Sequence, residues 1–491
     1  MPKYLPTIGM EIHVELKTDS KMFCGCKNDP ELDKEPNSNI CEVCTAQPGT
    51  LPVPNREAVR FVQLAGLALN CELAKDSKFD RKNYFYPDIP KGYQISQYDQ
   101  PLCGKGEIFL EDRKFGVTRI HLEEDTGKLN HPKGTDYSLV DFNRAGVPLM
   151  ELVTEPDFTS GKEASLFCQK LQQICRYLGI SEADMEKGHM RCEANVSVYK
   201  EGEDRLSGTK VEVKNINSFK FVEKAINFEI DRQIEALESG ERISQETRGW
   251  DSNRNATVSQ RSKETAADYR YFPEPDIPPM LFSDEYINEL KKNLPELPDQ
   301  KLKRFVEEYG IGERDGELLT SDKDLANYFE KSISELREKI QSGEIKSPED
   351  KVFRLAVNYL NTEIRRHLIE KQDKINSIKI TPENYAELIG IVAEGKINSS
   401  AAQLVLDEMY QRGCDPSQII EEKNLGQMDD DSELKKIIDS VLSDNQNSVS
   451  DYLNGKENAL KFLMGQVMKA TQGKANPQKA TEIIKKKIAQ K

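Results

Sequence analysis

Ile8-Gly9-Met10-Glu11-Ile12-His13-Val14-Glu15-Leu16 alternates apolar and polar side chains in the manner of a half-buried strand. Successive side chains in a strand point to opposite faces, so Glu11, His13 and Glu15 share one face of it. Two later stretches read the same way: Thr118-Arg119-Ile120-His121-Leu122-Glu123-Glu124-Asp125 and Val147-Pro148-Leu149-Met150-Glu151-Leu152-Val153. Glu151 lies between Met150 and Leu152, in an apolar setting where an unpaired carboxylate is costly. Carboxylates and an imidazole that converge from separate strands are hard to hold together without a cation between them. The set therefore points to a hard divalent ion and, with it, phosphate chemistry. Each member alone has a plainer reading, a solvated acid or a structural imidazole. Alternation does not choose between Glu123 and Glu124.

Outward from these strands, the 491 residues are enough for two to four domains with sizeable cores. Up to about Phe282, β-type alternation mixes with helical periodicity. Proline-rich punctuation follows at 271–280 and 293–299, and beyond Lys301 helical patterns dominate. Thr381-Pro382-Glu383-Asn384 reads as a helix cap with proline at the first helical position, and Gly395 as the stop. The expected fold class is α+β: a body with mostly antiparallel sheet over 1–293, a helical connector over 294–344, and an all-helical tail over 345–491. The net charge of −15 excludes a protein coated in base. A local basic patch remains, with seven lysines against the single acid Glu482 between Lys469 and Lys491. It is either a solvated helix face or a contact for nucleic-acid phosphates. The start has no apolar signal region and no run approaches a membrane span, so a soluble cytoplasmic protein with reduced thiols is expected.

Cys24-x-Cys26 and Cys41-x-x-Cys44 flank 14 residues rich in turn formers. Two close pairs of thiolates match a structural tetrahedral zinc site, which has no open position for substrate. Four free thiols in a loop is the alternative. The other six cysteines have no paired spacing, and most read as buried hydrophobes. The loop from Phe79 to Pro101 sets Arg81, Lys82 and Lys91 among Tyr84, Phe85, Tyr86, Tyr93 and Tyr98. It suits a phosphate or a ribose-base group, and equally a rigid packed loop. Arg191, Glu193, Asn195, Lys210, Glu212 and Lys214 form the polar face of a further strand pair, by default solvated. No P-loop, dinucleotide-binding turn or nucleophile elbow is present, so any use of ATP requires a different kind of site.

The stretches at 8–18, 79–88, 94–101, 121–128, 268–276 and 473–478 together resemble the GatB/GatE family, the B subunits of glutamine-dependent aspartyl/glutamyl-tRNA amidotransferases. The likeness covers essentially the whole chain. It implies a cradle domain, a helical domain and a mobile tail, working in a GatCAB heterotrimer with the A (glutaminase) and C subunits. It implies a carbon–nitrogen ligase that phosphorylates the side-chain carboxylate of Glu-tRNA(Gln) or Asp-tRNA(Asn) with ATP and then transfers ammonia. By the same resemblance, Glu11, His13, Glu124 and Glu151 match the family's Mg2+ positions, with Glu124 preferred to Glu123. Arg81 and Lys82 are expected at phosphate or the ammonia channel. Cys24, Cys26, Cys41 and Cys44 match a zinc knuckle, and Lys469, Lys474 and Lys479 are expected to meet tRNA. A zinc-bearing tRNA adaptor without a catalytic centre, and a stand-alone metal-dependent phosphatase, are the rival readings.

Overall fold

The computed structural model describes residues 3–29, 35–262, 268–426, 431–471, 475 and 477–489. They fall into two units, Met1–Leu297 and Pro298–Lys491. The first is built on one eight-stranded sheet. Its strands run in the order Ala256–Ser262, Glu246–Asp251, Val211–Ile216, Met190–Lys200, Tyr4–Glu15, Pro148–Thr154, Arg113–Glu124, Gly106–Leu110. Val211–Ile216 and Glu246–Asp251 are parallel, and the other neighbours are antiparallel.

The alternation of the first strand is realised in full. Ile8, Met10, Ile12 and Val14 are buried, together with Ile120, Leu122, Met150, Leu152, Ala194 and Val196 from its neighbours. They share one core with the helices Arg56–Ala68, Gly161–Leu178 and Phe219–Glu238. Asn55, Ser160 and Ser218 cap these helices by accepting backbone N–H bonds of the first turn, each cap contributing about 1 kcal/mol. Gly161 sits so close to the Glu223 carbonyl that a Cβ there would collide with it. Burial of each aliphatic side chain stabilises by about 1.5–3 kcal/mol, which locks the register. A slip of one residue would send Glu11 and His13 into the core. A smaller sheet, Phe272–Pro273, Asp80–Asn83 and Tyr93–Ser96, brings two segments nearly 200 residues apart side by side.

Among the described residues, the elements of the second unit, from Pro298–Tyr309 to Pro477–Ala489, are all helices. Thr381 caps the helix Pro382–Ala393 by accepting from the Asn384 N–H, and Gly395 takes φ +70° just beyond its end. The expected break near residue 345 does not coincide with a division between cores. Phe305, Phe329, Phe353 and Tyr385 belong to one cluster, and Tyr385 Oη donates to the Ala356 carbonyl at 2.6 Å. A second core runs from Leu434 to Ile488. Among the described residues, no helix is long and apolar enough to cross a membrane.

Candidate functional site

The polar face of the large sheet carries the site. His13 pairs in register with Glu151, and Glu151 in turn with His121, so three adjacent strands set imidazole, carboxylate and imidazole in a row. Both ring nitrogens reach the same atom: His13 Nε2 and His121 Nε2 each lie 3.2 Å from Glu151 Oε2. His13 Nε2 is also 3.8 Å from Glu11 Oε1 and from Glu123 Oε1. His121 Nε2 is 3.8 Å from Glu123 Oε2, which accepts a bond from Ser96 Oγ at 3.0 Å. His121, Glu123 and Glu151 are 3%, 2% and 5% exposed, so bulk water does not screen these charges.

Burial by itself raises the pKa of Glu151, yet the imidazoles of His121 and His13 hold its carboxyl well below the usual range. Glu123 is lowered against the same burial by Lys82 and His121. Burial opposes a proton on His121, but Glu151 and Glu123 outweigh it and lift the imidazole to about 9. Among these buried atoms His121 Nδ1 has no hydrogen-bond partner. Two sets of donors, Glu11/His13/Glu151 and His121/Glu123/Glu151, each lie within 4.8 Å of one another. Mixed imidazole and carboxylate donors at that spacing fit a divalent cation, whose charge would replace the protons that the imidazoles otherwise hold.

Glu11, His13 and Glu151 are thus brought together as the sequence suggests, while Glu124 is not brought to them. It follows Glu123 on the strand, so its side chain leaves the other face. There Lys91 Nζ donates to Glu124 Oε2 at 2.7 Å and the Ile95 N–H to Oε1 at 3.0 Å. This pair lines a cavity of about 190 Å³ together with Cys24, Cys44 and Asp276. Lys82 is half-buried beside the cluster, its ammonium 5.4 Å from the centre of the Tyr269 ring. Burial disfavours its charge, but Glu123, Tyr271 and Glu151 raise its pKa overall, so it stands as a cation facing the acids. Arg81 is engaged elsewhere. Its fork binds both oxygens of buried Glu274 at 2.7 and 2.9 Å and stacks 4.2 Å over Tyr93. Glu15 belongs to a neighbouring group with Asp125 and Arg191; burial and Asp125 push its carboxyl up to about 8.

His121 is the site residue to which sequence reading assigned no role, and Glu123 stands where the family motif preferred Glu124. The signal was present: His121-x-Glu123 repeats the spacing of Glu11-x-His13, and both strands pair with the one that carries Glu151.

The thiols of Cys24, Cys26, Cys41 and Cys44 also lie within 4.8 Å of one another. A zinc with bonds of about 2.3 Å sets its four sulfurs about 3.8 Å apart, so the cluster fits that ion. The Cys41 N–H donates to Cys44 Sγ at 3.1 Å, and Lys21 Nζ stands 4.0 Å from the same sulfur. Five of the other cysteines are buried and Cys414 is half-buried. Lys469 and Lys479 are exposed on helices of the second unit, and Lys474 lies outside the described residues.

A mostly antiparallel sheet with a carboxylate–imidazole centre on its polar face, followed by a helical unit, defines a catalytic domain with a helical companion. Residues 6–288 match the family model described as the GatB/GatE catalytic domain, and residues 322–488 match the one described as the GatB domain. The chain belongs to the GatB/GatE family. It is 48% identical to the B subunit of the aspartyl/glutamyl-tRNA(Asn/Gln) amidotransferase of Thermotoga petrophila and to that of Thermotoga maritima, over 99% of either chain in both cases. It is 47% identical to the protein of the same name from Thermoanaerobacter sp., over 99% of this chain and 100% of that one.

Proposed function

We propose that this chain works within an ATP-dependent amidotransferase of several subunits that converts Glu-tRNA(Gln), Asp-tRNA(Asn) or both to their amides. The observation that carries this reading is the Glu11–His13–Glu151–His121–Glu123 centre, three of its members buried, inside the region that matches a catalytic domain. A carboxylate is a poor acyl donor, because oxide would have to leave. Transfer of the ATP γ-phosphoryl to one carboxylate oxygen gives an acyl phosphate and ADP. Ammonia then attacks the acyl carbon, and phosphate departs with that oxygen.

Bound Mg2+ would offset negative charge on the phosphoryl groups during the first step. The chain's part is to hold that ion through side chains of this centre, to keep bulk water from His121, Glu123 and Glu151, and to aim Lys82 at the developing charge. Glu124 and Lys91 line the adjoining cavity rather than the cation site. Zinc on the four thiols would stiffen the knuckle without entering the chemistry. The A (glutaminase) and C subunits, in a reducing cytoplasmic setting, complete the assembly, with the lysine-rich end meeting tRNA.

The deciding experiment gives this chain, purified with the A and C subunits, Glu-tRNA(Gln), ATP, Mg2+ and free ammonia. Amide that forms only with both ATP and this chain present establishes the reading. Intact tRNA binding with no amide, in the assembled complex, replaces it with the adaptor. Metal analysis of fresh complex should find about one zinc per chain, lost in Cys44→Ser. Zinc retained by that variant would place the ion elsewhere. Joint Lys469→Ala and Lys479→Ala replacement should lower the log–log salt slope of tRNA binding by about two. An unchanged slope would remove both lysines from the phosphate contacts.

A further inference from the structure

We infer that the polar face of the sheet binds two divalent cations side by side, with Glu151 as their shared ligand. The two-ion assignment rests on the metal reading above and goes beyond it in number and in the roles of His121 and Glu123. Neighbouring strands are about 4.8 Å apart, so the backbones of His13 and His121 flank that of Glu151 from opposite sides, roughly 10 Å from each other. Their side chains converge on one atom, Glu151 Oε2, at 3.2 Å from each Nε2. An oxygen placed equally between two nitrogen donors is in position to bridge two ions. Glu123 repeats the arrangement with both of its oxygens: Oε1 stands 3.8 Å from His13 Nε2, and Oε2 stands 3.8 Å from His121 Nε2. The five donors do not gather into one set; they form two sets that have only Glu151 in common.

Charge counts the same way. Glu11, Glu123 and Glu151 bring three negative charges, so one divalent ion leaves the centre negative and repels a phosphate. Two ions leave it positive by one, and Lys82 adds to that. Ions held by these residues would supply charge stabilisation to a phosphoryl group during its transfer to a carboxylate. Two imidazoles among the ligands also favour Mn2+ over Mg2+, which makes Mn2+ the suitable probe.

The test uses the full complex with its knuckle loaded with zinc and all other metal removed, titrated with Mn2+ and followed by electron paramagnetic resonance. Expected are about two ions per chain and the spectrum of a spin-coupled pair. His121→Asn and Glu123→Gln should each leave one ion and an uncoupled spectrum, with the zinc content reporting that the fold persists. A single ion or an uncoupled spectrum in the unmodified complex overturns the assignment, as does a coupled pair that survives both substitutions. If a variant fails to fold, the count and coupling in the unmodified complex decide. Amide formation on the same samples separates the two readings: two coupled ions with no amide would sink the amidotransferase and leave the paired centre standing.

Discussion

Glu151→Gln is expected to lower ATP-dependent amide formation about a thousandfold or more, while glutamine hydrolysis by the glutaminase partner persists in the assembled complex. The substitution keeps the shape of the side chain and removes its charge. Glu151 Oε2 lies 3.2 Å from the Nε2 of both imidazoles, so its charge supports both halves of the centre. In the variant His13 and His121 face a neutral amide in a buried setting, and cation binding loses its central ligand. The check is single-turnover conversion of Glu-tRNA(Gln) with free ammonia, together with a glutaminase assay on the same preparation. A rate within tenfold of the parent would take Glu151 off the reaction path. Loss of both activities would point to failed assembly instead.

The second large effect is on stability. Arg81→Ala should destabilise the first unit by about 3–5 kcal/mol, because it strands the Glu274 carboxylate, whose side chain is 0% exposed, without its bidentate partner. The pair ties the strand Asp80–Asn83 to the segment at Phe272–Pro273 across 193 positions of chain, and the guanidinium over Tyr93 adds an aromatic contact. Replacing both partners, Arg81→Met with Glu274→Leu, should recover most of the loss, since no charge is then left buried. Thermal unfolding of the two variants measures this. Stability unchanged in Arg81→Ala, with amide formation lost, would return Arg81 to a role at phosphate.

Local pattern made much of this protein legible. Strand-like patterning in the stretches at 8–16, 118–125 and 147–153 marked three strands of the sheet, and in the first of them also the face that is buried. The cap at Thr381 and the stop at Gly395 were readable because they depend on neighbours a few residues away. Paired thiol spacing foretold the cluster of Cys24, Cys26, Cys41 and Cys44 for the same reason.

What depends on which strands become neighbours was not readable. The family motif favoured Glu124, but strand register turns Glu123 to the centre and gives Glu124 to Lys91. Arg81 reads in sequence as a free cation beside aromatics, and only the return of the chain near residue 274 supplies its carboxylate. The helices on either side of residue 345 show no change of periodicity that would reveal their shared core. Alternation determined, from the sequence by itself, the polar face of the first strand, with Glu11, His13 and Glu15 on it. The order and register of eight strands decided which residues meet, because contacts across a sheet are set by long-range pairing, and their chemistry is settled by distances of 3–4 Å that local pattern does not encode.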